Sequence, residues 1–195
     1  MPSLSLGCVF LASGRGKRFG GNKLLADCGG RPLCDLVFDR HPAELFRQTV
    51  VVTRYPEVAV SAALRGFSVA EDLGETDDVA ATIRLGLAAL RPGLDGCLFS
   101  VCDQPRLRAE TVRALAAEFI AHRECIVAPA HDGRRGNPVF FPAALFGALA
   151  ALPPGRGGGA VIAAHPELLR LVEVADPREL ADADRPEELE ALLAD

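Results

Sequence analysis

Apolar runs of strand length alternate with longer segments of helical period along this chain, and this alternation constrains the fold more than any other feature. Several of the runs are continuously hydrophobic, which is typical of parallel strands covered on both faces by helices. We therefore predict an α/β fold with three layers, in which a mostly parallel sheet lies between two layers of helices. The predicted strands are 6–12, 49–53, 66–70, 97–101, 125–129, 139–141 and 171–174, and the predicted helices are 33–40, 57–64, 77–90, 109–122, 143–151, 160–165 and 186–193.

Composition excludes several classes of protein. Hydrophobic residues make up 49% of the chain and charged residues 24%, which is the balance of a globular protein and not of a disordered or collagen-like one. The formal net charge of −5 argues against a protein that binds long nucleic acids, although a local basic patch around a small phosphate remains compatible with it. At this length we expect one domain covering residues 1–195.

Cysteine usage and the first apolar run indicate the compartment. Six cysteines are spread along the chain without a Cys-x-x-Cys pair, and most lie inside apolar runs, which is typical of reduced, buried thiols. The apolar run near the start of the chain is far shorter than the ~20 residues of a membrane span and has no basic residue before it. We expect a cytoplasmic protein without a signal peptide or membrane anchor.

The segment after the first strand combines glycine with positive charge. Four glycines and four cations lie between Gly14 and Lys23. Such a loop lets the backbone approach an anion while its side chains neutralise the charge, so we predict a phosphate site. The spacing differs from a P-loop because Asn22 follows Gly21, and from a dinucleotide fingerprint because Phe19 stands where the third glycine belongs. The alternative is a solvated basic loop.

Polar residues follow other predicted strands, and each has a local explanation. Asp103 comes directly after the run 97–101, where an aspartate most often forms a turn or caps a helix. Gly136 and Asn137 suit a turn that leads into the strand at 139–141. Asp184 is placed to cap the helix that begins near 186.

Two further segments complete this local survey. Residues 76–87 predict an amphipathic helix capped by Thr76 or Asp77. Residues 152–159 are rich in glycine and proline but too few to separate two domains, so we predict a loop.

Several strings of the sequence resemble the signature of one enzyme family. Residues 11–23 read L-A-S-G-R-G-K-R-F-G-G-N-K, residues 102–105 read C-D-Q-P, and residues 136–141 read G-N-P-V-F-F. These strings are similar to the motifs of the MobA-like NTP transferases, which handle molybdopterin and share the Rossmann-like nucleotide-diphospho-sugar transferase fold. Within that family they look most like the molybdenum cofactor cytidylyltransferases. The resemblance runs from Leu6 to Leu189.

The resemblance implies a role for each loop. Lys23 and Arg18 would act at the triphosphate, and Asp103 would bind Mg²⁺, so these three residues form the implied catalytic set. The second metal ligand would be Asp182 or Asp184, and the sequence leaves both open. The implied nucleotide-binding residues are Leu11, Ala12, Ser13, Gly14, Arg15, Gly16, Arg18, Lys23, Thr82 and Asp103. The implied acceptor-binding residues are Gly136, Asn137, Pro138 and Arg135, with Arg134 beside them.

The implied reaction is the Mg²⁺-dependent transfer of CMP from CTP to the phosphate of molybdenum cofactor, with release of pyrophosphate. Two positions depart from the family pattern: Ser13, near the base, stands where relatives have Ala or Gly, and Gly155 stands where relatives have an acidic residue. Alternatives are therefore an enzyme that uses GTP or another phosphorylated acceptor, and a non-catalytic carrier that delivers the cofactor to a molybdenum hydroxylase.

Overall fold

The apolar runs form one sheet in the computed structural model, which describes residues 4–75 and 77–194. The strands are β1 (Leu6–Ala12), β2 (Gln48–Thr53), β3 (Ser68–Glu71), β4 (Gly96–Val101), β5 (Ile126–His131), β6 (Arg134–Arg135), β7 (Val139–Pro142) and β8 (Leu169–Glu173). The helices are α1 (Leu33–Asp39), α2 (Pro56–Leu64), α3 (Val79–Ala89), α4 (Ala109–Ala121), α5 (Phe146–Ala150), α6 (Gly159–Ala164) and α7 (Pro186–Leu193). Every predicted element is present, with ends shifted by a few residues.

The sheet is mixed but mostly parallel, as predicted. Its strand order is β3-β2-β1-β4-β7-β5-β6, and β8 pairs with β5 in addition. The pairs β1–β2, β1–β4, β2–β3 and β5–β8 are parallel, whereas β7 runs antiparallel to both β4 and β5. The short strand β6, which the sequence pattern did not predict, pairs antiparallel with β5.

Alternating residues of the central strands divide the core into two layers. On β1, Cys8 and Phe10 face one cluster, which contains buried residues of α1, α2, α4 and α7. Val9 faces the other cluster, which contains buried residues of α3, α5 and α6. Because helices pack on both faces, the central strands are apolar on both sides. This arrangement confirms the predicted three-layer α/β fold.

Helix α3 approaches the sheet closely, and this approach positions part of the site. A Cβ atom on Gly86 would lie 2.4 Å from Cγ1 of Val9, so only glycine allows α3 to pack at this distance from β1. The strands β1, β2 and β4 are mutually parallel, so their carboxyl ends share one edge of the sheet. Ligands of such sheets bind at that edge, and α3 begins beside it.

The cysteines follow the prediction. All six are free thiols, and Cys8, Cys34, Cys97 and Cys102 are buried. Burial raises the pKa of the Cys97 thiol, so it stays protonated. Cys28 and Cys125 are half-buried, so the prediction that most of the cysteines are buried thiols is confirmed. Among the described helices, none combines the length and the apolar character needed to traverse a bilayer.

Candidate active site

The glycine-rich loop follows β1 and folds into a compact turn. Gly16 adopts φ +57°, and its carbonyl accepts hydrogen bonds from the backbone N–H groups of Phe19 (2.9 Å) and Gly20 (3.1 Å). A Cβ atom on Gly16 would lie 2.2 Å from the carbonyl oxygen of Gly21, so both the conformation and the space require glycine. Asn22 then caps a short 3₁₀ turn over Lys23–Leu25 by accepting from the backbone N–H of Leu24.

The start of this loop is tied to the end of β2 by three successive side chains. The hydroxyl of Thr53 donates to the carbonyl of Ala12 (3.0 Å), Nε of Arg54 to the carbonyl of Ser13 (2.8 Å), and the hydroxyl of Tyr55 to the carbonyl of Gly14 (2.9 Å). We name Thr53, Arg54 and Tyr55 the β2 clamp. Within the described residues, the backbone N–H groups of 14–18 donate no hydrogen bond and remain available to an anion.

Lys23 connects the loop to the rest of the site. Its ammonium group donates to Oδ2 of Asp103 and lies 3.4 Å from Oδ1 of Asp184. Burial alone would lower the pKa of Lys23, but the charge and hydrogen bond of Asp103, and then those of Asp184, raise it above its ordinary value. Lys23 is therefore a fixed positive charge at neutral pH.

The segment after residue 180 brings two more carboxylates to the carboxyl end of β4. Nε2 of Gln104 donates to the carbonyl of Leu180 (3.0 Å), and the backbone N–H of Ala183 donates to the carbonyl of Asp103 (2.9 Å). Partial desolvation and the neighbouring charge of Asp103 raise the pKa of Asp182 to about 6. The three aspartates 103, 182 and 184 thus belong to one electrostatic group.

Asp184 does not cap a helix, which corrects the local prediction. Helix α7 has Arg185 at its N-cap, and the carboxylate of Glu188 accepts from the backbone N–H groups of Asp184 (2.9 Å) and Arg185 (3.1 Å). The Asp184 side chain is left to contact Lys23 and Arg18. Asp103 likewise caps nothing, since its Oδ2 pairs with Lys23 and its Oδ1 has no hydrogen-bond partner in the described structure.

The donor set fits a hard divalent cation. Oδ1 of Asp103 is buried and unpaired, which is costly unless a ligand satisfies it. Carboxylate oxygens from Asp103 and from Asp182 or Asp184 are the ligands that Mg²⁺ prefers, together with water and substrate phosphate. Among described residues, the trio whose ligand atoms all lie within 4.8 Å of one another is elsewhere, at the half-buried His131 and the exposed Asp132 and Glu173. The aspartates of the site are spaced more widely than that.

Three adjoining cavities line the carboxyl edge of the sheet. The first, the basic cavity, has a volume of about 230 Å³. It is lined by four cations, Arg15, Lys17, Arg18 and Lys23, and by two carboxylates, Asp77 and Asp184. The second, the middle cavity, has a volume of about 260 Å³ and shares Gly14 and Asp77 with the basic cavity. It also contains Ser13, Val79, Thr82 and Gly155.

The third cavity is apolar and continues from the middle one. It has a volume of about 230 Å³ and shares Leu11, Val79 and Val101 with the middle cavity. Apart from Arg135 and Asn137, its side chains are hydrophobic, and residues 157–159 contribute glycine backbone. We call it the apolar cavity. The three spaces together form a continuous row that changes from strongly charged to hydrophobic.

Comparison with known proteins identifies the family. A model of the MobA-like NTP transferase domain matches residues 8–169, which include the glycine-rich loop, Asp103 and the segment 136–141. The chain belongs to the MobA-like NTP transferase family. This membership confirms the resemblance seen in the sequence strings and makes the chain a member of a nucleotidyltransferase family. Asp182 and Asp184 lie beyond the matched residues.

Solved structures of similar proteins share the fold over nearly the whole chain. Rv0371c from Mycobacterium tuberculosis H37Rv is 27% identical, with a TM-score of 0.79 and 98% of each chain covered. A nucleotidyl transferase from Methanothermobacter, Mth528, is 20% identical, with a TM-score of 0.81. The match covers 97% of this chain and 96% of that one. CMP:2-keto-3-deoxy-manno-octonic acid synthetase, solved with CTP, is 14% identical, with a TM-score of 0.72. The match covers 98% of this chain and 97% of that one. The last two likenesses show the fold alone.

A second structure of the mycobacterial protein bears on metals. Rv0371c has also been solved in complex with manganese, at 24% identity, a TM-score of 0.73 and 98% coverage of both chains. The manganese belongs to that structure of the mycobacterial protein, and at this identity the likeness shows the fold alone.

Within the glycine-rich segment, the structure brings most predicted residues of this transferase to the cavities but not all. The basic cavity is lined by Gly14, Arg15, Gly16 and Arg18, and Gly14 also lines the middle cavity. Leu11 lines the middle and apolar cavities. Ala12 lies buried beneath the loop, because β1 still runs through it.

The hydroxyl groups of two predicted nucleotide-binding residues are engaged within the protein. Ser13 lines the middle cavity, but its hydroxyl donates to the carbonyl of Val52 (3.2 Å) and so turns towards β2. Thr82 also lines the middle cavity, and its hydroxyl donates to the carbonyl of Asp78 (3.2 Å). Each hydroxyl has therefore used its proton within the protein and can only accept a hydrogen bond from a base in this conformation.

The predicted acceptor residues divide into two groups. Arg135 and Asn137 line the apolar cavity. Gly136 instead packs on Leu180 and donates its N–H to the carbonyl of Pro129, and Pro138 is buried behind a cis peptide bond. Arg134 is exposed on β6 outside the three cavities. These differences arise because alternate residues of the β6–β7 segment point to opposite sides.

Several lining residues were missed by sequence reasoning. Lys17 belongs to the basic cavity, and Asp77 lies at its junction with the middle cavity. The charge of Lys17 was visible in the glycine-rich segment, so its omission was avoidable. Helix α3 begins at Val79 and is capped by Asp78, which corrects the prediction of Asp77 as the cap; Thr76 lies outside the described residues.

Proposed function

We propose that this chain transfers CMP from CTP to the phosphate group of the molybdenum cofactor and releases pyrophosphate. The observation that carries the proposal is the position of Lys23, whose ammonium group joins Asp103 and Asp184 at the wall of the basic cavity. A fixed positive charge at that point can stabilise the negative charge that develops as pyrophosphate departs.

The row of cavities supports a matching placement of substrates. The triphosphate of CTP would bind in the basic cavity, against the free N–H groups of the loop and its four cations. The nucleoside would occupy the middle cavity and the acceptor the apolar cavity, where Arg135 is the cation available to its phosphate. Nucleotidyl transfer depends mainly on such positioning.

The reaction needs no side-chain general base. An oxygen of the acceptor phosphate attacks the α-phosphorus of CTP, a new P–O bond forms, and the bond from the α-phosphorus to the bridging oxygen breaks. Pyrophosphate leaves with that electron pair. A phosphate monoester is already largely ionised at neutral pH, so it supplies the nucleophilic oxygen directly. Lys23 and Arg18 would balance the negative charge on the leaving phosphates.

Mg²⁺ is the cofactor that we assign to the carboxylates. Asp103, with Asp182 or Asp184, would hold the ion, which neutralises and polarises phosphate oxygens when bound. The contact of Asp184 with both Lys23 and Arg18 makes it a hydrogen-bond partner of the phosphate-binding cations in this structure. Partial burial, and then the charge of Asp103, raise the pKa of Asp182, so a cation bound beside it would stabilise its ionised form.

The choice of CTP is supported by the sequence strings that resemble cytidylyltransferases, and by the CTP complex of a structural neighbour with the same fold. The product, a dinucleotide form of the cofactor, would then pass to a molybdenum hydroxylase.

The test is product analysis by chromatography. The protein is mixed with Mg²⁺, molybdenum cofactor and one of CTP, GTP, ATP or UTP, and both pyrophosphate and the dinucleotide are measured. We expect turnover with CTP and at least a tenfold preference over GTP. Equal or faster turnover with GTP would contradict the assigned nucleotide, and pyrophosphate release only with another phosphorylated acceptor would contradict the assigned substrate. Tight nucleotide binding without any turnover would favour a carrier.

A further inference from the structure

The carboxylate of Asp78 joins two segments that are far apart in the chain. Its Oδ1 accepts from the backbone N–H of Ala80 (3.1 Å), which caps α3, and also from the backbone N–H of Gly155 (2.8 Å). The hydrogen bond from Gly155 is the main reason that the pKa of Asp78 lies below its ordinary value. One oxygen atom therefore holds both the first turn of α3 and the loop 152–159.

A second tie lies one helical turn further along α3. Nη1 of Arg84 donates to the carbonyl of Leu152 (2.9 Å), and its Nη2 lies 3.5 Å from Oδ2 of Asp78. Asp78 and Arg84 thus hold the loop at residues 155 and 152. Between these points the loop contributes no other side-chain hydrogen bond among the described residues, so these two contacts are its polar attachments to α3.

The two tied segments each line both the middle and the apolar cavities, and Val79 of α3 is common to the two. The start of α3 contributes Val79 and Thr82 to the middle cavity, where the nucleoside is placed. The loop contributes Gly155 to the middle cavity and residues 157–159 to the apolar cavity. A Cβ atom on Gly157 would lie 3.6 Å from Val79, so the loop backbone rests on the helix start itself. The Asp78 contact is the joint between these walls.

We infer that Asp78 is a positioning residue that couples the nucleotide to the acceptor. Its carboxylate holds the loop 152–159 against the start of α3. The same contact therefore positions the loop wall of the apolar cavity and orders the middle cavity. The identity of the two ligands rests on the proposed function.

Two substitutions separate this role from simple helix capping. In Asp78→Ser the hydroxyl still caps α3 but is too short to reach Gly155 as well. In Asp78→Asn the side-chain oxygen keeps its position and can accept both hydrogen bonds. Loss of one such hydrogen bond corresponds to about a fivefold to tenfold change in an equilibrium constant. We therefore expect Asp78→Ser to raise the KM for the acceptor about fivefold to tenfold, with less than a twofold change in kcat. The KM for the acceptor in Asp78→Asn should lie close to the wild-type value.

Amide hydrogen exchange provides a readout that needs no turnover. We expect residues 155–159 of the wild-type protein, which follow the two prolines of the loop, to gain protection when CTP and Mg²⁺ bind. In Asp78→Ser the same residues should exchange about fivefold to tenfold faster and gain no protection, although calorimetry still detects CTP binding. Thermal unfolding checks that Asp78→Ser is folded, and Arg84→Gln, which breaks only the second tie, should show an intermediate effect.

The outcomes distinguish the coupling from the proposed function. If the wild-type protein shows no turnover with molybdenum cofactor, the proposed function fails, but the exchange experiment still decides the coupling. The inference is overturned if Asp78→Ser leaves the amide exchange of residues 155–159 and its response to CTP unchanged. It is equally overturned if Asp78→Asn behaves like Asp78→Ser, or if the variant raises the KM for nucleotide and acceptor by the same factor.

Discussion

His41 shows how strongly a single buried environment can set the charge of a side chain. Its ring stacks on Phe46, with centroids 4.8 Å apart, and meets the edge of Phe10 at 4.9 Å. Nε2 lies 3.1 Å from the hydroxyl of Thr49. Burial lowers the pKa of His41 to about 4, so the ring is neutral in the folded protein at physiological pH.

This environment predicts a pH-dependent stability. An unfolded histidine gains a proton near pH 6.5, whereas the folded one gains it only near pH 4, so the unfolded state binds more protons between these values. The contribution of neutral His41 is complete above pH 6.5 and is lost as the pH falls towards 4, by about 3 kcal/mol in total.

Urea unfolding at several pH values tests this prediction. The wild type should lose about 2 kcal/mol of stability through His41 between pH 7 and pH 5, so the free energy of unfolding of His41→Gln should increase by about that amount relative to the wild type. A constant difference between His41→Gln and the wild type would contradict the assigned burial effect.

At the level of elements, the β2 clamp connects a strand end to the phosphate loop. Because its side chains hold the carbonyls of residues 12–14, the following N–H groups are preorganised for an anion and need less ordering on binding. Removing one neutral hydrogen bond costs about 1 kcal/mol, which corresponds to about a fivefold change in affinity.

We therefore predict that Tyr55→Phe and Thr53→Val each weaken Mg·CTP binding about threefold to tenfold in calorimetry. Both changes preserve shape and remove a hydroxyl group. Ser68→Ala removes a hydroxyl from β3 outside the three cavities and should leave the affinity unchanged. Unchanged affinity in both clamp variants would show that the loop needs no support from β2.

Elements were predicted well where burial dominates and less well where distant contacts decide. The central strands follow from their continuous apolar runs. The N-cap of α3 could not be predicted from the local sequence, because Thr76, Asp77 and Asp78 are all good capping residues. Asp78 caps the helix, and its carboxylate also accepts from the N–H group of Gly155, 77 positions away. The strand β6 has two residues and leaves no periodic signal.

For the whole molecule, the site is assembled from loops at one edge of the sheet, and sequence alone could predict only part of it. The glycine-rich loop and Asp103 follow strands, so their meeting was predictable from parallel topology. The return of Asp184 to Lys23 does not follow from topology, because it depends on the hydrogen bonds of Gln104 and Ala183 to neighbouring segments. Only the family resemblance implied that Asp182 or Asp184 returns to the site of Asp103. The apolar cavity likewise depends on packing between α3, β7 and the loop 152–159.

The central claim is that the Lys23–Asp103 pair supports nucleotidyl transfer. Its most direct test is pyrophosphate release from CTP with Mg²⁺ and molybdenum cofactor, measured for the wild type, Lys23→Ala, Asp103→Asn and the control Asp176→Asn, whose carboxylate pairs with Arg178 outside the three cavities. We predict that kcat/KM falls by about 10²-fold to 10³-fold in the first two variants and stays within twofold in the control. Turnover near the wild-type rate in a folded Lys23→Ala or Asp103→Asn variant would contradict the account.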